Sequence, residues 1–545
     1  MERPYVLGLD FGSLSARALL MDTRTGTETA SAVFDYPHGV MDRALPDGMP
    51  LPADTALQHP QDYLDALCTL TRAVLDRAGI APDSIAGVTL DFTASTPLVL
   101  NDEGVPLCFL PEFRGEPHAY VKMWKHHAAQ APAERITALA AEYDPHMLDA
   151  YSGRVSSEWL IPKLLQILEE APEVYRAAAR FAESGDWIVR TLTGVDCSST
   201  NMAGYKALWR PGIGYPDRAF LETLNPAFAD AADKLAHDIR PVGVCAGYVT
   251  ETAAEMTGLA PGTPVGVSII DAHAAYPAAG VTQNGKLMMI VGTSNCCLTT
   301  ADTETGAPGV FCVRDGILPG VYGYEAGQAC FGDHFDWFCK HQVPASYTAA
   351  AEAAGVSIHT YLSELAAKKK PGETGLLALD WWNGVRTDLM DERLHGVMLG
   401  MTLATKPEDQ YRALMEGCAF GTRVVLDSYR HAGIVIDEGF ACGGIAKKNP
   451  QLLQILSDVL GIPLHIAATD QAGALGCAMW AAVMSGIFPT LKDAAAVMVR
   501  PPIRTHRPDR ANSAVYDRIY ALYRELHDSM GKENSILRRL SALRQ

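Results

Sequence analysis

At 545 residues the chain is longer than one hydrophobic core usually supports, so length alone predicts two domains, or three. Hydrophobic residues make up 48% and charged residues 20%, and the formal net charge of −18 excludes a general binder of nucleic acid or acidic membranes, which needs a basic surface. Twelve cysteines without a C-x-x-C pair suit reduced core thiols in a reducing, cytoplasmic compartment better than a disulfide frame or a metal site.

The opening residues MERPYVLGLD reach Asp10 after an apolar run too short for a signal peptide. Residues 5 to 22, YVLGLDFGSLSARALLMD, read as a strand, a turn at Gly12-Ser13 and a second strand. A glycine followed by hydroxyls exposes backbone N–H groups that can hold a phosphate, and Asp10 just before it could hold Mg²⁺ beside that phosphate. An ordinary hairpin with a solvated Asp10 is the alternative. Pro60 to Ala78 is predicted as an amphipathic helix and Ala86 to Phe92 as a strand, ending in the small polar turn Thr93-Ala94-Ser95-Thr96 where a ligand could lie. Such alternation indicates α/β layers around a largely parallel sheet. Residues 154 to 194 are predicted helical, with Leu160, Leu164, Leu165 and Leu168 at core spacing and Glu158 on the first turn. The segment NMAGYKALW, 201 to 209, reads as a loop or short strand carrying Lys206, with a snorkelling surface lysine as the competing reading.

The middle of the chain repeats the pattern of its start. An apolar strand from Val265 to Ile270 ends at Asp271, which reads either as a proton acceptor at a strand end or as a plain helix N-cap. After the Asn284-Gly285 turn signal, Leu287 to Val291 leads into Gly292-Thr293-Ser294, a second candidate phosphate turn. Glu325 follows in the glycine-flanked VYGYEAGQA, and Asp380-Trp381-Trp382-Asn383-Gly384 pairs two tryptophans of the kind that anchor cores. A helix is predicted from Pro407 to His431. Beyond it Gly443-Gly444 precedes Asn449-Pro450, an N-cap with proline at N1, where a nucleotide base could approach the backbone closely. Gln471 to Thr490 carries no charge but is rich in Gly and Ala, which predicts a closely packed buried helix and not a membrane span. P-loop, dinucleotide, zincin and serine-hydrolase motifs are absent.

Taken together, GLDFGSLSARALLMD, LDFTAST, SSEWLIPKLLQIL, SGDWIVRTLTG, IIDAHAA, VGTSNCC, LDWWNGVRTDLMDERLHGVMLGMTL, MEGCAFGTR and CGGIAKKNPQLLQILSDVLG resemble the FGGY family of carbohydrate kinases over nearly the whole chain. DFTAST and the WWNG-R-D-R-G segment are most similar to members acting on ribulose. The resemblance implies two actin-like, ribonuclease-H-like α/β ATPase domains around a central cleft, here 1–270 and 271–545, closing on ATP–Mg²⁺ and an open-chain sugar. It further implies that Asp271 is the base, that Asp10 lies near the metal, that Gly12, Ser13, Gly292 and Thr293 flank the phosphates, and that Gly443, Gly444 and Asn449 border the nucleoside. Ala94, Lys206 and Glu325 are the implied sugar contacts, beside Asp271. The expected partners are ATP and a small sugar, with no nucleic acid and no membrane; association between copies of the chain is left open. Val385 and Gln471 depart from the residues common in relatives. The sharpest alternative is another sugar or polyol acceptor, and a more distant one is an actin-like nucleotide switch with no acceptor.

Overall fold

The computed structural model describes residues 3–543. Tyr5–Phe11 and Ser15–Asp22 form the expected hairpin, with Phe11 opposite Ala16, and Thr27–Asp35 extends it. Ile85–Phe92, buried along its whole length, joins the first strand in parallel and brings Asp91 into register beside Asp10. Such a strand reads as a continuous apolar run because both of its faces are covered. The run expected as one strand from Val265 to Ile270 forms two short pieces, Pro264–Gly266 and Ile269–Ile270, both parallel to Ile85–Phe92. Between them the Val267 N–H turns to the Val244 carbonyl and the Ser268 hydroxyl bonds Asp186, which takes these residues out of the ladder.

A second seven-stranded sheet repeats the plan of the first. Lys286–Val291 and Asn295–Ala301 form a hairpin, Tyr322–Gln328 extends it, and Glu438–Cys442 joins the first strand in parallel. Both sheets are therefore mixed, antiparallel on the hairpin side, parallel in the middle and antiparallel again at the far edge, where Cys245–Tyr248 pairs with Pro264–Gly266 and Arg504–His506 with Leu464–Ile466, and not largely parallel as alternation alone predicts.

Two helices run between the sheets. Asp271–Ala278 follows the last strand of the first sheet, and Ala472–Met484 returns from the second half to pack on Tyr5–Phe11, on Ile85–Phe92 and on Asp271–Ala278. A methyl on Gly476 would overlap the Ala274 carbonyl, and one on Gly8 would overlap the Ala474 carbonyl. These close approaches explain the uncharged Gly/Ala composition of 471–490. Among the described residues no helix is long and apolar enough to cross a membrane.

Pro60–Ala78 and Pro407–His431 form as helices with the expected bounds. Residues 154–194 are less uniform than predicted: Leu160–Glu170, Pro172–Ala177 and Ser184–Thr193 are helical, but Pro172 interrupts the first run and Arg180–Glu183 pairs as a strand with Pro97–Leu100. The loop or short strand expected at 201–209 is instead the helix Thr200–Lys206, started by the Ser199 hydroxyl accepting the Met202 N–H at 3.1 Å. All twelve cysteines are free thiols.

Candidate active site

Three aspartates meet where the first sheet ends. Parallel pairing sets Asp10 beside Asp91 and Ile269 on the other side of Asp91, so Asp271 begins its helix two residues further along. Asp10 is not the solvated strand-end residue of the alternative reading: it is buried, with one oxygen 3.4 Å from Arg17. Asp91 is fully buried, accepts the Cys477 thiol at 3.3 Å through Oδ2, and has no hydrogen-bond partner for Oδ1. Burial, then the charges of Asp10 and Asp271, push its carboxyl well above the usual range. The N-terminus of Ala472–Met484 presses on the pair, since a Cβ at Gly473 would stand 2.6 Å from Asp91 Oδ2 and 3.1 Å from Asp10 Cγ. A carboxylate in the cleft beside a second, partnerless buried oxygen suits Mg²⁺ or its water, because this ion is commonly held by one or two carboxylates with phosphate oxygens completing the shell.

Asp271 is not an N-cap. The cap position belongs to Ile270, and Asp271 is the first helical residue, its Oδ1 accepting the neighbouring Ala272 N–H at 2.8 Å. The side chain is half-buried and faces the other charges of the site. Burial, then Asp10, push its carboxyl up to about 7, with Glu325 adding to the push while the Ala272 N–H and Lys206 oppose it. A carboxylate so tuned exchanges its proton near neutral pH.

Lys206, at the end of its helix, and Glu325, on Tyr322–Gln328, come from opposite halves and meet at 3.0 Å. The second oxygen of Glu325 lies 3.0 Å from His273 Nε2, and His273 Nδ1 lies 2.6 Å from the Asn201 amide. Burial alone would raise Glu325, but Lys206 and His273 hold it below the usual carboxylate range. Ala94 is buried in the turn after Ile85–Phe92, with Ser95 in the left-handed region at φ 58°. The Lys163 ammonium donates to the Ser95 carbonyl at 2.6 Å and Glu183 accepts the Thr96 N–H at 2.8 Å, fixing the turn from behind. Burial pulls Lys163 down and pushes Glu183 up, as for any charge pair withdrawn from water.

The hairpin turns carry the remaining candidates. The Gly12 N–H bonds the Ser15 carbonyl, and Ser13 is held by Trp124 through its hydroxyl and by Gln58 through its carbonyl. In the second turn the Gly292 N–H bonds the Ser294 carbonyl, while Gly332 packs so closely that its Cβ would stand 2.5 Å from the Gly292 oxygen. Neither Gly12 nor Gly292 has a positive φ, so neither turn needs glycine for its backbone. Gly443 does, at φ 99°, where it lies against Val291; Gly444 is exposed, and a Cβ there would meet nothing within 4 Å. Asn449 caps the helix Pro450–Leu460 by accepting the Leu452 N–H at 3.1 Å, and its amide lies 3.3 Å from Ser363.

Sequence reasoning missed Asp91, Asn201 and His273 as parts of this site. Asp91 stood at the strand end already noted for its polar turn, and His273 stood between the alanines directly after Asp271. Nothing in the sequence marked Asn201. Across the cleft rim Arg386 reaches Glu158 at 3.3 Å, with Arg154 donating to the Met390 carbonyl at 2.9 Å.

Family models for the FGGY carbohydrate kinases match in both halves, the N-terminal domain over residues 5–276 and the C-terminal domain over 287–485. The chain belongs to the FGGY family of carbohydrate kinases. Among its FGGY relatives, a ribulokinase of Bacillus licheniformis is 46% identical over 538 residues, 97% of this chain and 98% of that one. A ribulokinase of Mycolicibacterium smegmatis is 45% identical over 99% of this chain and 96% of its own length. The xylulose kinase of Rhodospirillum rubrum shares the fold at a TM-score of 0.77 and 24% identity, covering 96% of this chain and 99% of that one. The architecture is accordingly the two-domain actin-like plan, and the enzyme is a carbohydrate kinase.

Proposed function

We propose that this kinase transfers the γ-phosphoryl group of ATP to the terminal hydroxyl of an open-chain ketopentose, L-ribulose, giving L-ribulose 5-phosphate. The observation that carries the reading is the Lys206–Glu325 ion pair beside Asp271, in a chain 46% identical to a ribulokinase over nearly its full length. Lys206 can donate to sugar oxygens and Glu325 can accept from hydroxyls, while the rigid Ala94 turn supplies a small apolar wall. Asp271 orients the terminal hydroxyl and takes its proton as the oxygen attacks, a contribution of about 10²–10⁴-fold. Halves at 1–270 and 271–545 would each bring one phosphate turn to the cleft.

The residues present fit Mg²⁺–ATP. Asp10 and the partnerless oxygen of Asp91 would face the metal, the N–H groups around Gly12-Ser13 and Gly292-Thr293 would face phosphates, and the bare backbone at Gly444 leaves room for the nucleoside, with Gly443 and Asn449 shaping its border. When bound, Mg²⁺ neutralises charge on the phosphate oxygens. The protein's own part is to position the acceptor, hold its proton and exclude water.

Acceptor-dependent ADP release, measured over L-ribulose, D-ribulose, D-xylulose, ribitol, glycerol and no acceptor, tests the reading. L-ribulose should give the highest kcat/KM. Equal ADP release with and without acceptor would overturn it in favour of a nucleotide switch, and a preference for another acceptor would reassign the substrate.

A further inference from the structure

Five residues from four elements form one continuous hydrogen-bonded chain behind the proposed sugar site: Lys206, Glu325, His273, Asn201 and the backbone of Ile270. Asn201, which links His273 to Ile270, is fully buried. Its Oδ1 lies 2.7 Å from the Ile270 nitrogen, and its Nδ2 lies against His273 Nδ1 at 2.6 Å and against the Gly316 carbonyl. The orientation of this amide is not free. A backbone N–H only donates and a backbone carbonyl only accepts, so Oδ1 must face Ile270 and Nδ2 must face Gly316. A flipped amide would set donor against donor and acceptor against acceptor inside the core, leaving buried groups unpaired.

The protonation of His273 follows from that orientation. Asn201 Nδ2 is the donor, so His273 Nδ1 is the acceptor and carries no proton. The ring is therefore neutral, with its hydrogen on Nε2, 3.0 Å from Glu325 Oε2. Burial, which disfavours an imidazolium, acts in the same direction. Glu325 thus receives hydrogen bonds from one neutral donor, His273, and one cation, Lys206.

We propose that Asn201 and His273 are positioning residues of this kinase: a single amide locks Glu325 through the tautomer of His273 and, through the Ile270 N–H, holds the backbone immediately before Asp271. The group that binds the sugar and the group that takes its proton are thereby tied to the same buried side chain, which fixes their separation. The proposal rests on the sugar-kinase reading for its consequence but not for its geometry. Errors of about 1 Å in such a separation cost on the order of 10²-fold in rate, which is why a rigid tie here matters.

Two measurements on the full-length protein test it. The first is ¹⁵N NMR of histidine-labelled wild type at pH 7, with the His273 signals assigned by their loss in His273→Gln. The expected result is a neutral ring protonated on Nε2; protonation on Nδ1, or an imidazolium, would overturn the proposal. The second is steady-state kinetics. His273→Leu, which removes the donor to an ionised carboxylate, should raise the KM for L-ribulose by about 10–100-fold and that for ATP by no more than about 2-fold. His273→Gln, which can still donate to Glu325, should recover most of that loss. Equal damage from Leu and Gln, or equal effects on both substrates, would overturn it. Should His273→Leu fail to fold, Asn201→Asp decides: it presents an acceptor to Nδ1 and should draw a proton onto that nitrogen, changing the NMR signature and raising the sugar KM. An unchanged signature would overturn the proposal. Failure of the underlying reading looks different, because Lys206→Met would then leave sugar KM unaltered.

Discussion

Replacing Lys206 by Met removes the ammonium and keeps most of the stem volume. Its Nζ lies 3.0 Å from Glu325 Oε1, and the two side chains are 13% and 16% exposed. Breaking a buried pair by removing one partner costs about 3–5 kcal/mol. The pair borders an open cleft, so part of that is recovered by water, and the fraction that falls on sugar binding is about 2–3 kcal/mol. At 1.4 kcal/mol per tenfold, the KM for L-ribulose should rise by about 30–150-fold while that for ATP changes little. A second signature follows from the electrostatics. Lys206 opposes the upward shift of Asp271, so its loss should move the acid limb of the pH–rate profile to higher pH than in wild type. Coupled ADP-release kinetics with each substrate varied, from pH 6 to 9, measures both. A proportional rise in both Michaelis constants, or an acid limb that moves to lower pH, would refute the reasoning.

The nucleoside border should be sensitive to bulk at Gly444, where a Cβ meets open space and the fold itself should tolerate a side chain. Gly444→Val should therefore leave the melting temperature nearly unchanged and weaken ATP binding by about tenfold or more in calorimetry, with sugar affinity retained. Unaltered ATP affinity would place the nucleotide elsewhere. The Arg386–Glu158 pair bridges the halves at a partly exposed rim, with side chains 40% and 22% accessible, so it should contribute at most about 1 kcal/mol to the closed form and less at high salt. Arg386→Ala should raise sugar KM by about 2–5-fold at low ionic strength and reduce sugar-induced compaction in small-angle scattering. Identical salt dependence in variant and wild type would remove the pair from closure.

The hairpins, the long helices and the buried Gly/Ala helix were legible because each signal is local. Alternating or continuous apolar runs ended by Gly and hydroxyls mark 5–22 and 287–300, proline at N1 marks 60 and 407, and the lack of charge marks 472–484. The breaks were less visible. Ser268 leaves its strand for a partner 82 residues away, and Thr200–Lys206 is helical because Ser199 caps it in a segment whose aromatic residues suggest a strand. At the site, sequence singled out the charged residues that face the cleft, Asp10, Lys206, Asp271 and Glu325. It missed Asp91, Asn201 and His273, since a buried polar group is identified by what it touches, and those contacts join residues 69 to 386 positions apart. Of the glycines assigned to the nucleotide, only Gly443, packed on Val291, has positive φ, a conformation that packing imposes and sequence alone does not reveal.

The central claim is that Asp271 takes the proton of the attacking hydroxyl. Its most direct test is kcat against pH for wild type and Asp271→Asn at saturating L-ribulose and MgATP. Only the carboxylate form accepts a proton, so wild-type turnover should fall about tenfold per pH unit below the pKa of this carboxyl, which burial holds above the usual carboxylate range, and should level off above it. Asp271→Asn should fold and bind both substrates, turn over roughly 10²-fold or more slowly, and lose the acid limb. A variant that keeps most of its turnover, or keeps the same limb, would contradict the assignment.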